Sequence, residues 1–344
     1  MKLATYRDGS RDGQLVVVSR DLVLAHYATA TATRLQQVLD DWNFLSPQLQ
    51  DLSVALNQGR ARHAFAFDAR QCMAPLPRAY QWAEALAYVN HQVLLRKACG
   101  TETPNRFFAE PLLHQRSSDD LGGPSDSVWF GDAAGAIDFS AGLAVITGDV
   151  ALGASPGQAL DGVRLLMLVN AWRLGSGSGS GPDSNSTLGL GQEHLPSLAA
   201  GAFSPVAITP DELGEAWTGG RLHASLHSAC NGKKVGLCKT GPEMTFHFGQ
   251  LISHLAKTRR LRAGAIVSTG PVSNADAARG YHCIAEKRAR ETLAHGAPRT
   301  GYLVAGDALR IEMKGRDGLS LFGVIEQQIA GPLTDRPDAT AAPA

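Results

Sequence analysis

The stretch IDFSAGLAVITGD, residues 137–149, is predicted to be the central strand of the fold. It is rich in apolar and β-branched residues and ends in a Gly-Asp turn signal, a pattern typical of a buried strand. A loop containing acids and glycines at residues 110–124 precedes it, and a second apolar run, LLMLVNAW at 165–172, follows it. Because three such segments can meet at one end of a sheet, we expect a functional site there.

Apolar spacing predicts further elements on both sides of this strand. Alternating or continuous apolar runs predict short strands, and three- and four-residue spacing predicts helices. The predicted strands are 14–18, 21–25 and 221–228, with a C-terminal hairpin of 308–313 and 319–328 joined by KGRDG. The predicted helices are 35–42, 49–56, 80–98, 156–165 and 242–257.

The composition excludes two classes of partner. The 344 residues include 32 Lys plus Arg and 32 Asp plus Glu, with no basic run. Nucleic acids and anionic membranes attract basic patches, so we expect neither as a partner. The charged N-terminal segment has no apolar stretch long enough for a signal peptide or a membrane span, which predicts a cytoplasmic protein.

The cysteines predict a reduced protein. Their number is odd, and they are scattered without a CxxC spacing at Cys72, Cys99, Cys230, Cys238 and Cys283. This pattern argues for free thiols and against a structural zinc site.

Prolines near residue 75 divide the chain. We predict a small β-rich domain at 1–74, a larger domain at 75–332 and a frayed tail at 333–344. Within the larger domain, residues 175–192 begin with GSGSGSG, which predicts a flexible loop because alternating Gly and Ser do not offset their ordering entropy. A natural lid and an artificial linker are both consistent with that segment.

Eight segments in order along nearly the whole chain resemble the fumarylacetoacetate hydrolase family, in its bacterial two-domain form. They are the central stretch, MKLATYRDGSRDG (1–13), APLPRAYQW (74–82), LLMLVN (165–170), AFSPVAITPDELG (202–214), GPEMTFHFGQLISH (241–254), CIAEKR (283–288) and GDALRIEM (306–313). The resemblance implies an α+β, mainly β fold: a mixed β-roll with a small N-terminal β-rich domain, assembled as a homodimer. It also implies hydrolysis of 1,3-dicarbonyl acids at a carbon-carbon bond, or decarboxylation and tautomerisation of 2-oxo acids.

The family's chemistry uses a divalent cation, and this sequence departs from the family at the ligand positions. The resemblance places the ligands at an acid in the loop before the central strand, two acids one residue apart in that strand, and an acid after the Asn of LLMLVN. Here these positions are Glu110, Ser140, Gly142 and Ala171. One carboxylate cannot hold Mg²⁺ or Ca²⁺ tightly, so we expect no metal at these positions. Further family residues are also replaced, near Ser117, Leu198 and Pro271.

These losses predict an enzyme that acts on a 1,3-dicarbonyl or 2-oxo-acid-like small molecule without the usual divalent metal. In this interpretation Glu110 is the general base, and His114 or Arg116 holds an oxyanion. Trp172 and Arg173, beside Ala171, bind the substrate together with Asp138. An exposed loop with ordinary charges is the alternative for Glu110, His114 and Arg116.

Two other functions remain open. One is a non-catalytic pseudoenzyme dimer that binds a small molecule or a partner protein. The other is a residual Mg²⁺- or Ca²⁺-dependent hydrolase whose shifted site forms around Glu110 and Asp138, with Asp119 or Asp120.

Overall fold

The computed structural model describes residues 1–130, 136–175 and 201–331. The protein is α+β and mainly β, with a small β-rich N-terminal part, as the resemblance implied. Beyond Gly175, the loop expected at 175–192 lies outside the described residues, and so do Leu198 and the tail at 333–344.

The N-terminal part is an antiparallel meander covered by two helices. The strands are β1 (Lys2–Tyr6), β2 (Gln14–Val18), β3 (Leu24–Tyr27) and β4 (Phe65–Ala66). The helices are α1 (Leu35–Asp40) and α2 (Trp42–Asn57). Apolar residues of both helices, including Leu39 and Leu49, share a buried cluster with Leu3 and Val17 of the meander.

The meander continues directly into the main sheet of the molecule. The spatial order is β4, β3, β2, β1, β12 (Ala207–Ile208), β9 (Val163–Ala171), β8 (Ala141–Thr147), β17 (Ile266–Ser268), β5 (Trp82–Ala85) and β6 (Leu113–Arg116), and β11 (Gly201–Phe203) pairs with β9. Most neighbours are antiparallel, whereas β17 and β5 are parallel. The C-terminal ends of β5 and β17 therefore lie at one edge, beside the start of β8.

The other strands of the described residues form smaller sheets. One has the order β16 (Lys233–Lys239), β15 (Ser225–Cys230), β18 (Ala308–Lys314) and β19 (Ser320–Gln328). Two ribbons pair β7 (Ala136–Asp138) with β10 (Arg173–Gly175), and β13 (Trp217–Thr218) with β14 (Arg221–Leu222). The predicted C-terminal hairpin is confirmed as β18 and β19.

Among its described residues, the C-terminal part has five more helices: α3 (Val89–Ala98), α4 (Arg106–Ala109), α5 (Pro156–Asp161), α6 (Phe248–Ala256) and α7 (Ile284–His295). Short 3-10 helices occupy Ala69–Gln71, Pro210–Ala216 and Ala277–Arg279. None of the helices in the three described ranges combines the length and hydropathy needed to cross a membrane.

The central stretch is two strands rather than one. It breaks at Phe139 and Ser140, because β7 leaves the main sheet to pair with β10 while β8 stays beside β9. The break directs Asp138 toward β10, where its cross-strand partner is Arg173.

The helix predicted over residues 80–98 is wrong in its first half. Residues 82–85 form β5, between β17 and β6, and the helix begins only at Val89. The reason is tertiary: the ring of Trp82 packs 5.2 Å from that of Phe203, and its indole N–H donates to Ser268 Oγ at 2.9 Å. Contacts between distant parts of the chain override the helical spacing of WAEALAYV.

Candidate active site

A buried carboxylate, Glu84, joins two arginines at the edge of the main sheet. Its side chain is fully buried in β5. Glu84 Oε2 accepts hydrogen bonds from Arg116 Nη1 at 3.3 Å and from Arg173 Nη2 at 2.8 Å. His114 is the cross-strand partner of Glu84, and Arg116 that of Trp82, so alternation along β5 and β6 brings these side chains to one face.

The charges of the two arginines determine the protonation state of Glu84. Burial alone would raise the pKa of Glu84, but Arg173 and Arg116 outweigh that effect and hold the pKa below its ordinary value. Glu84 is therefore ionised at neutral pH. Arg116 also donates to the Trp172 carbonyl at 2.7 Å, and its guanidinium lies 5.0 Å from the centre of the Trp82 ring.

Asp138 lies at the beginning of helix α7. Its two carboxylate oxygens accept the backbone N–H groups of Ile284 at 2.6 Å and Ala285 at 2.8 Å. Unsatisfied N–H groups and the helix dipole favour an anion there. Burial nevertheless raises the pKa of Asp138 to about 6, because the surrounding low dielectric disfavours its charge more than these bonds favour it.

A small cavity connects these groups. Its volume is about 30 Å³, enough for one or two water molecules. Polar and ionisable side chains form much of its wall. The lining residues are Leu86, His91, Gln92, His114, Asp138, Ser140, Arg173, Pro271, Cys283 and Ala285.

The structure brings some of the predicted site residues together. His114, Asp138 and Arg173 line the cavity, whereas Arg116 lies behind Glu84 with its side chain fully buried. Trp172, expected to bind the substrate, does not line the cavity. Its indole N–H donates to Gln327 Oε1 at 3.0 Å, and its ring packs against Phe130.

Glu110 lies away from the cavity, which agrees with the exposed-loop alternative for this residue and not with the general base expected there. Its side chain is 63% exposed and pairs with Lys257 Nζ at 3.4 Å, itself 57% exposed. Glu110 closes the short helix α4, and the chain reaches the site only three residues later, at the start of β6. A solvated carboxylate at the surface lacks the burial that would tune it for proton abstraction.

The family's ligand positions do not fit a hard divalent cation. Ser140 lines the cavity with Oγ 3.5 Å from Glu84 Oε1, but it offers no charge. At Gly142 even a Cβ atom would overlap the carbonyl oxygen of Gly270, so no carboxylate can extend there without moving the backbone. Ala171 is buried in an apolar cluster. Arg116 and Arg173 would repel a cation in addition.

The acids proposed for a shifted site do not converge. Asp119 and Asp120 are exposed, as Glu110 is, and Asp119 accepts a hydrogen bond from its neighbour Ser117. Asp138 is engaged with helix α7. Within the described residues, one group of ligand-type side chains has its donor atoms close together: His91, Cys283 and Glu286.

Sequence analysis missed Glu84, His91 and Glu286. Glu84 and His91 were hidden inside the segment predicted as one helix, and nothing in their spacing marks them. Glu286 had a signal, since it lies in CIAEKR, one of the segments that resemble the family. The contacts that join Glu84 to Arg173 and His91 to Glu286 link distant parts of the chain, so local patterns could not assemble the group.

Comparisons with known proteins agree with this fold. The model of the fumarylacetoacetase N-terminal domain 2 matches residues 1–78, and the model of the fumarylacetoacetate hydrolase C-terminal domain matches residues 81–330. A search of curated protein sequences gives no match.

Solved structures of this fold are similar over nearly their whole length. The fumarylacetoacetate hydrolase of Exiguobacterium antarcticum has 15% identity and a TM-score of 0.63, over 96% of this chain and 99% of that one. Maleylpyruvate hydrolase of Sphingobium sp. SYK-6, in complex with manganese(II) and pyruvate, has 15% identity and a TM-score of 0.61, over 96% and 100%. The 5-carboxymethyl-2-hydroxymuconate delta-isomerase of Mycobacterium smegmatis has 13% identity and a TM-score of 0.57, over 96% and 100%. By its C-terminal domain, which spans most of its length, this chain belongs to the fumarylacetoacetate hydrolase family.

Proposed function

We propose that this protein is an enzyme that transfers protons on a 1,3-dicarbonyl or 2-oxo acid, with Arg173 stabilising negative charge where relatives use a divalent cation. The observation that carries the proposal is the Glu84–Arg116–Arg173 group at a cavity whose metal-ligand positions lack carboxylates. The hydrolase and isomerase named among the similar structures support the substrate class.

Arg173 is suited to bind the acid. Its guanidinium lines the cavity, and Glu84 Oε2 fixes it at 2.8 Å from one side. A planar guanidinium can donate two parallel hydrogen bonds to a carboxylate or an enolate oxygen. Arg116, fully buried behind Glu84, is a positioning residue, because it holds the carboxylate that orients Arg173.

Asp138 takes the acid-base role that Glu110 was expected to have. It lines the cavity opposite Arg173 across the β7–β10 pair. Its pKa of about 6 leaves it mostly ionised at neutral pH yet able to accept a proton from a carbon next to a carbonyl. His114, which also lines the cavity, contacts the substrate oxygen in this proposal.

The cavity must widen when a substrate enters. A volume of about 30 Å³ is smaller than any oxo acid, whereas ligand sites usually offer a few hundred Å³. The side chain of Arg173 is 25% exposed, so movement of this residue can open the cavity toward solvent.

Calorimetry with two probes tests the proposal. Pyruvate and 2,4-dioxopentanoate are titrated into the wild type and Arg173→Gln, with and without added Mg²⁺ or Mn²⁺. We expect binding that is independent of the added cation and at least about 10-fold weaker in the variant, as for loss of a charged hydrogen bond. The control is Arg310→Gln, which removes an exposed arginine of β18. Equal binding by Arg173→Gln would refute the assignment, and binding that needs Mg²⁺ or Mn²⁺ would favour a residual metal-dependent hydrolase.

The small cavity also favours a second candidate, a non-catalytic homodimer that binds a partner. That reading predicts no binding of either acid and no exchange of substrate C3 protons with deuterium, measured by NMR. Sedimentation velocity tests the homodimer.

A further inference from the structure

Three metal-ligating side chains come together at the wall of the cavity, and none of them occupies a ligand position of the family. His91 is on α3, and Cys283 and Glu286 belong to the beginning of α7. His91 Nδ1 lies 3.1 Å from Glu286 Oε2 and 3.8 Å from Cys283 Sγ. The donor atoms all lie within 4.8 Å of one another, and all three residues are buried.

The two separations from His91 are close to those of ligands on one tetrahedral ion. Zinc bonds of about 2.0–2.1 Å to nitrogen or oxygen and about 2.3 Å to sulfur place ligand atoms roughly 3.3–3.6 Å apart. The His91–Glu286 distance of 3.1 Å is slightly shorter than that range, and the His91–Cys283 distance of 3.8 Å is slightly longer. An imidazole, a thiolate and a carboxylate are ligands for zinc and similar transition metals, and not the all-oxygen set that Mg²⁺ prefers.

The surroundings orient the ligands as a metal site requires. Arg290 donates to Glu286 Oε1 at 2.8 and 3.2 Å, which leaves Oε2 directed toward His91. Such outer contacts fix ligand geometry and raise metal affinity. With Cys283 as thiolate and Glu286 as carboxylate, the ligands themselves supply two negative charges to a dication in a buried place, where uncompensated charge is costly.

The cavity has room for a fourth ligand of a tetrahedral ion. His91 and Cys283 line it, and so does Gln92, whose side chain is only 2% exposed. Gln92 Oε1 is buried without a hydrogen-bond partner among the described residues. A buried acceptor of this kind calls for a donor, and a water molecule bound to a metal in the cavity is one.

We propose that His91, Cys283 and Glu286 bind one transition-metal ion of the zinc class, with a cavity water as the fourth ligand. Cys283 binds as the thiolate and releases its proton to solvent. The ligands of this site are different residues from those at the family's metal positions, Ser140, Gly142 and Ala171, although Ser140 lines the same cavity. It goes beyond the proposed function, which requires no metal there.

The test uses the full chain after dialysis against a chelator, titrated with Zn²⁺ and with Co²⁺ as the spectroscopic probe. We expect one ion per chain, a sulfur-to-cobalt charge-transfer band, and a zinc X-ray absorption spectrum with one sulfur ligand. Cys283→Ser should weaken zinc binding by more than about 100-fold, since even loss of an outer contact costs 10–100-fold. The matched control is Cys99→Ser, which replaces the half-buried cysteine that ends α3.

Three outcomes would overturn the proposal: no stoichiometric ion in the wild type, a cobalt complex without the sulfur band, or zinc affinity unchanged in both Cys283→Ser and His91→Asn. The wild-type spectra show whether the ion binds through sulfur, so they test the proposal even if a variant fails to fold. None of these measurements depends on oxo-acid binding, so they can fail while the proposed function stands.

Discussion

Replacing Glu84 by Gln should destabilise the protein strongly, because the side chain is buried between two guanidinium groups. Gln has nearly the same shape and keeps one acceptor oxygen. It removes the negative charge that Arg116 and Arg173 contact at 3.3 and 2.8 Å. The experiment therefore isolates charge compensation from packing.

The magnitude follows from burial. Breaking a buried ion pair by removing one partner costs about 3–5 kcal/mol, because a buried charge loses its compensation. Because Gln keeps one acceptor oxygen, we expect Glu84→Gln to lower the free energy of unfolding by about 3 kcal/mol, near the lower end of this range. That is a large part of the 5–15 kcal/mol by which native proteins are stable.

Urea denaturation at pH 7 measures the effect. The matched control is Glu326→Gln. In the wild type the Glu326 carboxylate pairs with Arg310 at 3.5 Å, and both side chains are about half exposed or more. The control substitution should therefore lower the free energy of unfolding by less than about 0.5 kcal/mol. Since the folded pKa of Glu84 is lowered, its contribution is present above the ordinary pKa and is lost as pH falls through the folded value. The wild type and Glu84→Gln should therefore converge in acid. A loss below about 1 kcal/mol at pH 7 would refute this account of the charge group.

Four further predictions follow from single positions. Glu110→Gln should keep full activity and stability within about 0.5 kcal/mol, because its ion pair is exposed; a large loss of turnover would restore it as the base. Asp138→Asn should abolish an inflection near pH 6 in the pH profile of kcat/KM for an oxo acid. Because the folded pKa of Asp138 is raised, the wild type should also lose stability as pH rises from about 4 to 6. Denaturation at a series of pH values should show that loss in the wild type and not in the variant. Gly142→Ala should cost about 1–3 kcal/mol in urea denaturation, because its Cβ would overlap the Gly270 carbonyl. Burial lowers the pKa of His282 to about 3, so acid should destabilise the wild type below about pH 6.5 more than His282→Gln, as thermal melts would show.

The fold was largely predictable where the chain is regular. The runs at 163–171 and 320–328 are continuous or alternating apolar segments, and they form β9 and β19. The ordered resemblance supplied the architecture. The clearest failure was β5, whose four residues owe their strand conformation to β17 and β6, more than a hundred and about thirty residues away in sequence. The helices predicted at 156–165 and 242–257 are also shorter than expected, since β9 begins at Val163 and α6 begins at Phe248.

The site was less predictable, because its chemistry comes from side chains that meet only in the folded state. His114, Asp138 and Arg173 were identified through their nearness to the family's ligand positions. Glu84 was missed, since an acid between alanines gives no hint that two arginines will surround it. For Glu110 the structure favours the exposed-loop alternative over the general base, because similarity to a ligand position does not guarantee burial once the other ligands are gone.

The continuity of the main sheet has a consequence for how this chain can be divided. The two family models meet near residue 80, yet β1 pairs with β12, at residues 207–208. Separating the chain there would expose the backbone edges of both strands, and open edges invite association with other chains. The two matched segments are thus units of sequence recognition but not interchangeable building blocks. A chimaera that exchanges residues 1–78 with a relative must also match the surface of β12, or the joint between the halves will be lost.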